Sequence, residues 1–557
     1  MRDLMITLGH NSSAVVAEGS KLIAGFETER LTHVKSDSAF PTAVISRLNN
    51  EHGIRVFDKI FVGHWEPHND VNLMSAKHWD PSKLPPHKEL ITQESLGLTH
   101  HDCHAYAAVN FAQSHFIPGQ YSVLVVDGFG TMGEHVSFYD VGIDGKPVCK
   151  FRIHGYETSI GLMYQYATQF LGMKMHEDEY KLLGYQSKLA NEPAEDVQRL
   201  NELAHEASLQ WIKNTQRVPD PSIGVELRGL GEVSRRWHAV FDKVLKEFGI
   251  DEQEKARVYI SHFVQTITEK AVQYVVDLYQ PTNLVCAGGV FMNVALNMRL
   301  VKTIPGKFCV YPLAGDQGNA IGIRAAYGRR TEVTDLRIGL REIVDDDMQL
   351  ELPPNFFLMP GKNRDLISRI ADMSIRKHGF VNIVRGDMEF GPRALCNTTT
   401  LAQPLLMVAH AINKFNGRNS VMPFAPVMKE ATYLKCFPDA HKVVLSEEFM
   451  IVALEANPEH WNYPGASLMT HDGLVTARPQ VYREEDPEDV VNVMLQKYTV
   501  LINTSFNVHG RPIVLDLKDA IHCHEFQCHL GSEASTISST DHEQLSRFHH
   551  RCATIQS

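Results

Sequence analysis

Residues 121–130 read YSVLVVDGFG, an apolar run that ends in an acidic turn carrying two glycines. The run spans Tyr121–Val126 and the turn is Asp127-Gly128-Phe129-Gly130. Glu134–Tyr139 follows as a second strand, Gly142–Gly145 turns the chain, and a further strand comes after it. The chain begins with the same plan. Leu4–Leu8 is apolar, Gly9-His10-Asn11-Ser12 is a small polar turn, Ser13–Ala17 is a strand, Glu18-Gly19 turns, and Leu22–Phe26 is a strand again. Two copies of this pattern predict an internally duplicated α/β unit.

Such a duplication is the plan of an actin-like (ASKHA) ATPase fold, in which the first turn of each half faces the nucleotide phosphates. Two later loops fit it. Asn283–Ala287 reads as a buried strand ending in Gly288-Gly289, with a helix from Val290. Val310–Leu313 reads as a short strand ending in Ala314-Gly315-Asp316-Gln317-Gly318-Asn319, before a helix of small residues. Glycines between a strand and a helix let backbone N–H groups approach phosphate oxygens.

Arg337–Lys362, with Asp345-Asp346-Asp347 and Pro353-Pro354, reads as a boundary. Beyond it lie predicted strands at Phe380–Val384 and Tyr498–Ile502, and helices at Leu366–Lys377 and Pro487–Gln496. The reading is two domains, residues 1–345 and 355–545, and a tail holding His549-His550.

Composition sets outer limits. With 43% hydrophobic and 22% charged residues over 557 positions, the chain has enough apolar surface for large cores, which excludes a disordered protein. Lys and Arg number 54 against 66 Asp and Glu, a net charge of −12, unlike a basic nucleic-acid-binding domain. The nine cysteines form no CxxC pair, so a zinc ribbon and a thioredoxin-type site are unsupported. The start lacks an apolar leader core and no window approaches a membrane span, so the expectation is a soluble, cytoplasmic protein.

His100 and His104 are four residues apart at the start of a helical segment, hence on one helix face, while His101 and Cys103 point elsewhere. Taken alone, the pair reads as a polar helix start. Asp127 and Asp316, in the glycine turns, are the candidates to complete a two-His, two-Asp metal set, a mixture suited to iron, zinc or manganese. His522-Cys523-His524 with Cys528-His529 looks richer but matches no metal spacing, and reads as an exposed histidine-rich helix or loop. In the second domain, Gly391-Pro392 fixes a turn presenting Arg393, and Lys414 and Arg418 lie four apart. With Arg478, Ser505, Asn507 and Arg511 they describe an anion site fit for a nucleotide or small phosphate compound.

These stretches carry a resemblance. GHNSSA, ETERLTHVKSDSAFP, THHDCHAYAA, VVDGFG, DEYKLLGY, GGVFMN and AGDQGNAIG are followed in order by MEFGPRAL, NK…R…MPFAPV, HDGLVTARPQ and NTSFNVHGRPIV. Over about residues 3–515 the chain resembles the NodU/CmcH carbamoyltransferase family. The resemblance implies an actin-like N-terminal domain, similar to the tRNA threonylcarbamoyl-transfer proteins, and a YrdC-like C-terminal domain. It implies that carbamoyl phosphate and ATP (with Mg) form carbamoyl-adenylate in the second domain. The carbamoyl group then passes to an acceptor hydroxyl in the first, beside a metal that is usually iron. The family's metal ligands fall on His100, His104 and Asp316, with Asp127 in the metal-side turn. Catalytic roles fall on His10, near the acceptor proton, and Lys35, near the carbamoyl group. Nucleotide and carbamoyl phosphate fall on Lys414, Arg418, Arg478, Ser505 and Asn507, and the adenylate loops on Gly128, Gly288, Gly289 and Asn293. Asn11, Cys396 and His509 depart from the family's pattern.

The acceptor is expected to be a small-molecule alcohol or a hydroxymethylated pyrimidine, free or in DNA, with no membrane partner and a homodimer as a possible assembly. Alternatives are a threonylcarbamoyl-type tRNA-modifying enzyme, an actin-like sugar kinase, and a non-catalytic nucleotide-binding scaffold. Keeping both halves in this order, with MEFGPRAL, favours the carbamoyltransferase.

Overall fold

The computed structural model describes residues 1–63, 79–215, 229–340, 352–358, 364–418, 422–533 and 554–556. Five strands, β1 (Arg2–Thr7), β2 (Ser13–Glu18), β3 (Lys21–Glu27), β4 (Phe57–Gly63) and β5 (His87–Thr92), form a first sheet in the order β3-β2-β1-β4-β5. β1 to β3 are an antiparallel meander, registered Ile6↔Ala14 and Ala14↔Phe26, while β4 and β5 add in parallel, with Ile6↔Val62.

A second sheet repeats this. β6 (Ser122–Val126), β7 (Glu134–Val141) and β8 (Pro147–His154) are the meander; β9 (Leu284–Ala287) and β10 (Phe308–Val310) add in parallel, giving β8-β7-β6-β9-β10. The predicted duplication is therefore present strand for strand. β1 and β6 are central and buried on both faces, which is why they read as continuous apolar runs. Two boundaries differ from the sequence reading. β10 ends at Val310, where the strand was predicted to begin, and Gly289–Met292 is a 3₁₀ turn ahead of the helix Val294–Thr303. A helical block, including Ile160–Phe170, Ala194–Thr215, Leu230–Glu247 and Gln253–Tyr279, fills the sequence between β8 and β9.

The helix His100–Ala112 lies between the two sheets. Its Cys103, Ala105, Ala107 and Ala108 share a core with Met5 and Phe61 of the first sheet and Val123, Val125 and Val285 of the second. Alanines let it fit the narrow gap. Asn319–Ala326 packs on it, and its buried Arg324 donates to Asp3 of β1 at 3.0 Å. The guanidinium also donates to Thr331 Oγ1 at 2.8 Å and to the Gly19 carbonyl at 2.5 Å.

The later half holds a seven-stranded mixed sheet. Its order is Phe356–Leu358, Thr554–Gln556, Phe380–Val384, Thr398–Ala402, Val500–Ser505, Ala425–Met428 and Gln480–Val481. Arg364–His378 and Val490–Tyr498, near the predicted spans, supply Ile367, Ala371, Ile375, Val491 and Met494 to its core. Thr554–Gln556 pairs on both sides, so the final residues, expected to be a tail, place a strand inside this sheet. Asp345–Asp347 and His549-His550 lie outside the described residues. The halves share packing: Met428, Phe437, Ile451 and Val481 belong to the same cluster as Val301 and Phe308. Among the described residues, no helix is long and apolar enough to cross a membrane.

Candidate functional site

The turns after β1 and β6, equivalent by duplication, end at the same place, and the helix His100–Ala112 starts there. Its N-terminus is heavily fixed. Thr99 and Asp102 form a reciprocal capping box, with N–H to oxygen distances of 2.9 and 3.2 Å. The His100 N–H donates to Thr131 Oγ1 at 2.9 Å and the His101 N–H to buried Glu134 at 2.8 Å. Arg152 clamps Glu134 (2.5 Å) to Asp102 (2.6 Å). A Cβ at Gly130 would stand 2.8 Å from His100 Cβ, so a bare backbone is required beside that ring.

Held this way, His100, His104, Asp127 and Asp316 converge. His100 Nε2 lies 3.2 Å from His104 Nε2, 3.2 Å from Asp127 Oδ2 and 3.3 Å from Asp316 Oδ1. His104 Nε2 lies 3.1 and 3.5 Å from the same two oxygens. Donor atoms spaced like this match the edges of a coordination polyhedron with bonds of ~2.0–2.2 Å. Two imidazole nitrogens facing each other need a proton or a cation between them, so the donor set fits a divalent ion. Among the described residues, it is the one group of three or more His, Cys, Asp or Glu whose ligand atoms meet. Burial disfavours charge on His100, but Asp316 and Asp127 outweigh it and raise its pKa well above the usual histidine value. Burial opposes the Asp127 carboxylate too, yet His100 and His104 hold its pKa far below the ordinary range.

His101 and Cys103 do point away, His101 Nδ1 to Ser137 Oγ at 2.8 Å and Cys103 Sγ to Gln93 at 3.6 Å. His10, at the tip of the first turn, has Nδ1 3.6 Å from Asp316 Oδ2 and a partly exposed ring. That ring lies 5.2 Å from the ring of His176, a residue the sequence reading did not single out. Lys35 is half-buried; its charge acts on Glu27, Glu29 and His509.

The glycine loops close around Asp127. The Gly128 N–H donates to Asp127 Oδ1 at 2.7 Å, and a Cβ on Gly289 would stand 2.9 Å from the same oxygen. Gly288 has φ +97° and lies against the Val126 carbonyl. Asn293 is engaged otherwise. Its Oδ1 caps the helix Val294–Thr303 through Leu296 N–H (3.0 Å), and its Nδ2 donates to Gln265 (2.7 Å).

A second polar centre lies in the later half. Arg393, Arg418 and Arg478 are half-buried and act on one another electrostatically. Burial followed by the two neighbouring guanidiniums puts Arg478 well below the usual range, and burial with Arg418 takes Arg393 to about 10. Burial lowers Arg418 as well, opposed by the electrostatic influence of the Tyr180 phenol. Carboxylates do not figure among these main influences. Ser505 Oγ donates to Asn507 Oδ1 at 2.7 Å, and Asn507 Nδ2 to the Arg511 carbonyl at 2.8 Å. Lys414 ends the helix Leu406–Phe415 with its side chain exposed. In the histidine-rich helix Leu517–Glu533, Cys523 and His524 are buried rather than exposed, and His524 Nε2 meets the Pro354 carbonyl at 3.0 Å.

Nothing local in the sequence marks Glu134 and Arg152, because an acid and a base eighteen residues apart carry no signal of their pairing.

The profile of the carbamoyltransferase N-terminus matches residues 81–326, and that of the carbamoyltransferase C-terminus matches residues 373–530. Nodulation protein NolO of Bradyrhizobium diazoefficiens is 31% identical over 445 residues, covering 76% of this chain and 75% of NolO. The 3'-hydroxymethylcephem-O-carbamoyltransferase of Amycolatopsis lactamdurans is 25% identical over 301 residues, covering 50% of this chain and 53% of that protein. Among solved structures, the activator of the 2-hydroxyisocaproyl-CoA dehydratase from Clostridium difficile is 12% identical with a TM-score of 0.33, covering 59% of this chain and 94% of that one. A likeness of that size decides nothing about fold or activity.

Proposed function

From the premise that this chain belongs to the carbamoyltransferase family, we propose that it is an ATP-dependent O-carbamoyltransferase working in two steps. The reading takes the duplicated sheets as an actin-like transfer unit and the later half as a YrdC-like unit. In the later half, carbamoyl phosphate reacts with water to give carbamate and phosphate. A carbamate oxygen then attacks the α-phosphorus of ATP, and pyrophosphate leaves. Arg393, Arg418 and Arg478, with Lys414, Ser505 and Asn507, hold these anions. Partly buried guanidiniums repel one another, so a bound polyanion relieves a standing electrostatic cost.

Carbamoyl-adenylate then passes to the first half. An acceptor hydroxyl attacks the carbamoyl carbon, the anhydride C–O bond breaks, and AMP leaves. His10 takes the hydroxyl proton; its ring is partly open to solvent and steered by Asp316. Lys35 offsets charge on the carbamoyl oxygen. Gly128 and the Gly288-Gly289 turn keep the backbone close beside Asp127. His100, His104, Asp127 and Asp316 would hold a divalent ion, Fe(II) in preference to Zn or Mn, which would supply positive charge to offset that on a departing phosphate. The acceptor is a small alcohol in preference to a hydroxymethylated pyrimidine.

The observation that carries the reading is the presence, in one carbamoyltransferase-family chain, of a two-His, two-Asp cradle and a separate arginine cluster. Pyrophosphate release from ATP is expected to depend on carbamoyl phosphate. Release of ADP instead would identify a kinase, and no release with any carbamoyl donor would overturn the proposal.

A further inference from the structure

His176 lies in the loop between the helices Ile160–Phe170 and Glu179–Tyr185. Its φ is +65°, a left-handed backbone that an L-residue carrying a ring adopts only at a cost. Three contacts hold it there. Its N–H donates to Glu179 Oε1 at 2.6 Å, its carbonyl accepts from Ser36 Oγ at 3.3 Å, and its ring Nδ1 accepts from Gln165 Nε2 at 3.3 Å. Ser36, which follows Lys35, is itself left-handed with φ +54°. Gln165 stands beside the other turn, since a Cβ on Gly128 would meet its Nε2 at 3.9 Å. The ring of His10 is 5.2 Å from that of His176. One exposed imidazole is therefore fixed where the His10 turn, the Lys35 loop and the Asp127 turn come together.

The Gln165 contact decides what this ring can offer. An amide nitrogen only donates, so Nδ1 carries the lone pair and the ring proton sits on Nε2. Among the described residues, Nε2 has no hydrogen-bond partner. We propose that His176 is a specificity-determining residue of the transfer centre, its Nε2–H binding a second oxygen of the acceptor close to the hydroxyl that loses its proton to His10. Gln165 is the positioning residue that sets the tautomer. The acceptor class is then an alcohol with an oxygen lone pair nearby, such as a diol or a hydroxymethyl group beside a ring carbonyl. An amino alcohol is disfavoured, because its ammonium has only protons to present to an N–H. The inference rests on the carbamoyl-transfer reading above and narrows its acceptor.

The test supplies carbamoyl phosphate and ATP with 1,2-ethanediol, ethanol or ethanolamine as the probe acceptor, and counts O-carbamate formed against pyrophosphate released. The wild type should favour the diol over each of the others by about tenfold or more in kcat/KM, because a site built around a hydrogen bond rejects partners that cannot make it. His176→Phe keeps a flat ring without the N–H and should bring the three probes within about twofold of one another, with metal content unchanged. Gln165→Leu releases the tautomer and should lower the diol preference about threefold or more while His176 itself is intact. Equal use of the three probes by the wild type, carbamoylation of none of them, or an undiminished diol preference in His176→Phe would overturn the inference. An undiminished preference in Gln165→Leu alone would remove Gln165 from it. Absence of carbamoyl-phosphate-dependent pyrophosphate release from the wild type would instead overturn the proposed function, and this inference with it.

Discussion

Gly322 lies directly against the Cys103 carbonyl, so the helix carrying His100 and His104 meets the helix that follows Asp316 backbone to backbone. A Cβ at Gly322 would run into that oxygen, and would stand only 2.8 Å from the Cys103 carbonyl carbon and 3.0 Å from the Ala107 amide nitrogen. This contact sets the separation between His104 and Asp316.

Gly322→Ala should therefore force the two helices apart. Overpacking of this kind costs about 1–3 kcal/mol. A lowered melting temperature, together with metal content well below that of the wild type, is the expected result. A variant with full metal content and unchanged stability would show that the helices separate without moving the ligands.

His100→Ala and His104→Ala each remove one of the four converging donors. Both should lose bound metal and transfer to the acceptor while carbamoyl-phosphate-dependent pyrophosphate release continues. Elemental analysis and a phosphate-release assay on the same preparation check this. Loss of both half-reactions in a folded variant would contradict the division of labour.

Arg418→Ala or Ser505→Ala should act the other way. Pyrophosphate release should fall by at least tenfold, with metal content intact, because a charge-assisted hydrogen bond is worth about 1.5–3 kcal/mol. Normal release from either variant would remove that residue from the anion site.

Asp3 is fully buried between Arg324 and Arg329, and removing one member of such a group strands buried charge. Asp3→Ala should destabilise the protein by about 3–5 kcal/mol. Because Arg324 ties the helix that follows Asp316 to β1, the four-residue cradle should loosen with the loss. Denaturant unfolding of the variant measures it, and an unchanged midpoint would contradict it.

Burial drives the His135 and His262 pKa values down to about 3 each, and their neighbours His154 and His471 add to the effect. These depressed bases stay neutral in the folded chain while the unfolded chain takes up protons below about pH 6.5. Their stability contribution is present above that pH and is lost as pH falls toward 3, at about 1.4 kcal/mol per pH unit for each histidine. Unfolding of His262→Asn should show a slope between pH 6 and 4 shallower by about one proton than the wild type. Equal slopes would mean that His262 titrates normally.

The duplication was readable because strand alternation and glycine turns are local, and β1 and β6 carry their double burial as unbroken apolar runs. The His100 and His104 pair was readable for a similar reason, since four residues return a helix to the same face. Strand ends near β10 were not, because Tyr311-Pro312-Leu313 is as apolar as the strand and only the pairing with β9 says where it stops.

By itself, then, the sequence determined the repeated strand order, the helical histidine pair and the acidic turns, all features written within a few residues of one another. Tertiary structure alone decided that Asp316 reaches His100 across more than two hundred residues, and that Asn293 caps a helix. It also decided that Thr554–Gln556 sits between two other strands of the later sheet. Such pairings depend on sheet order and helix packing, which bring distant segments together through burial of surfaces no local window contains.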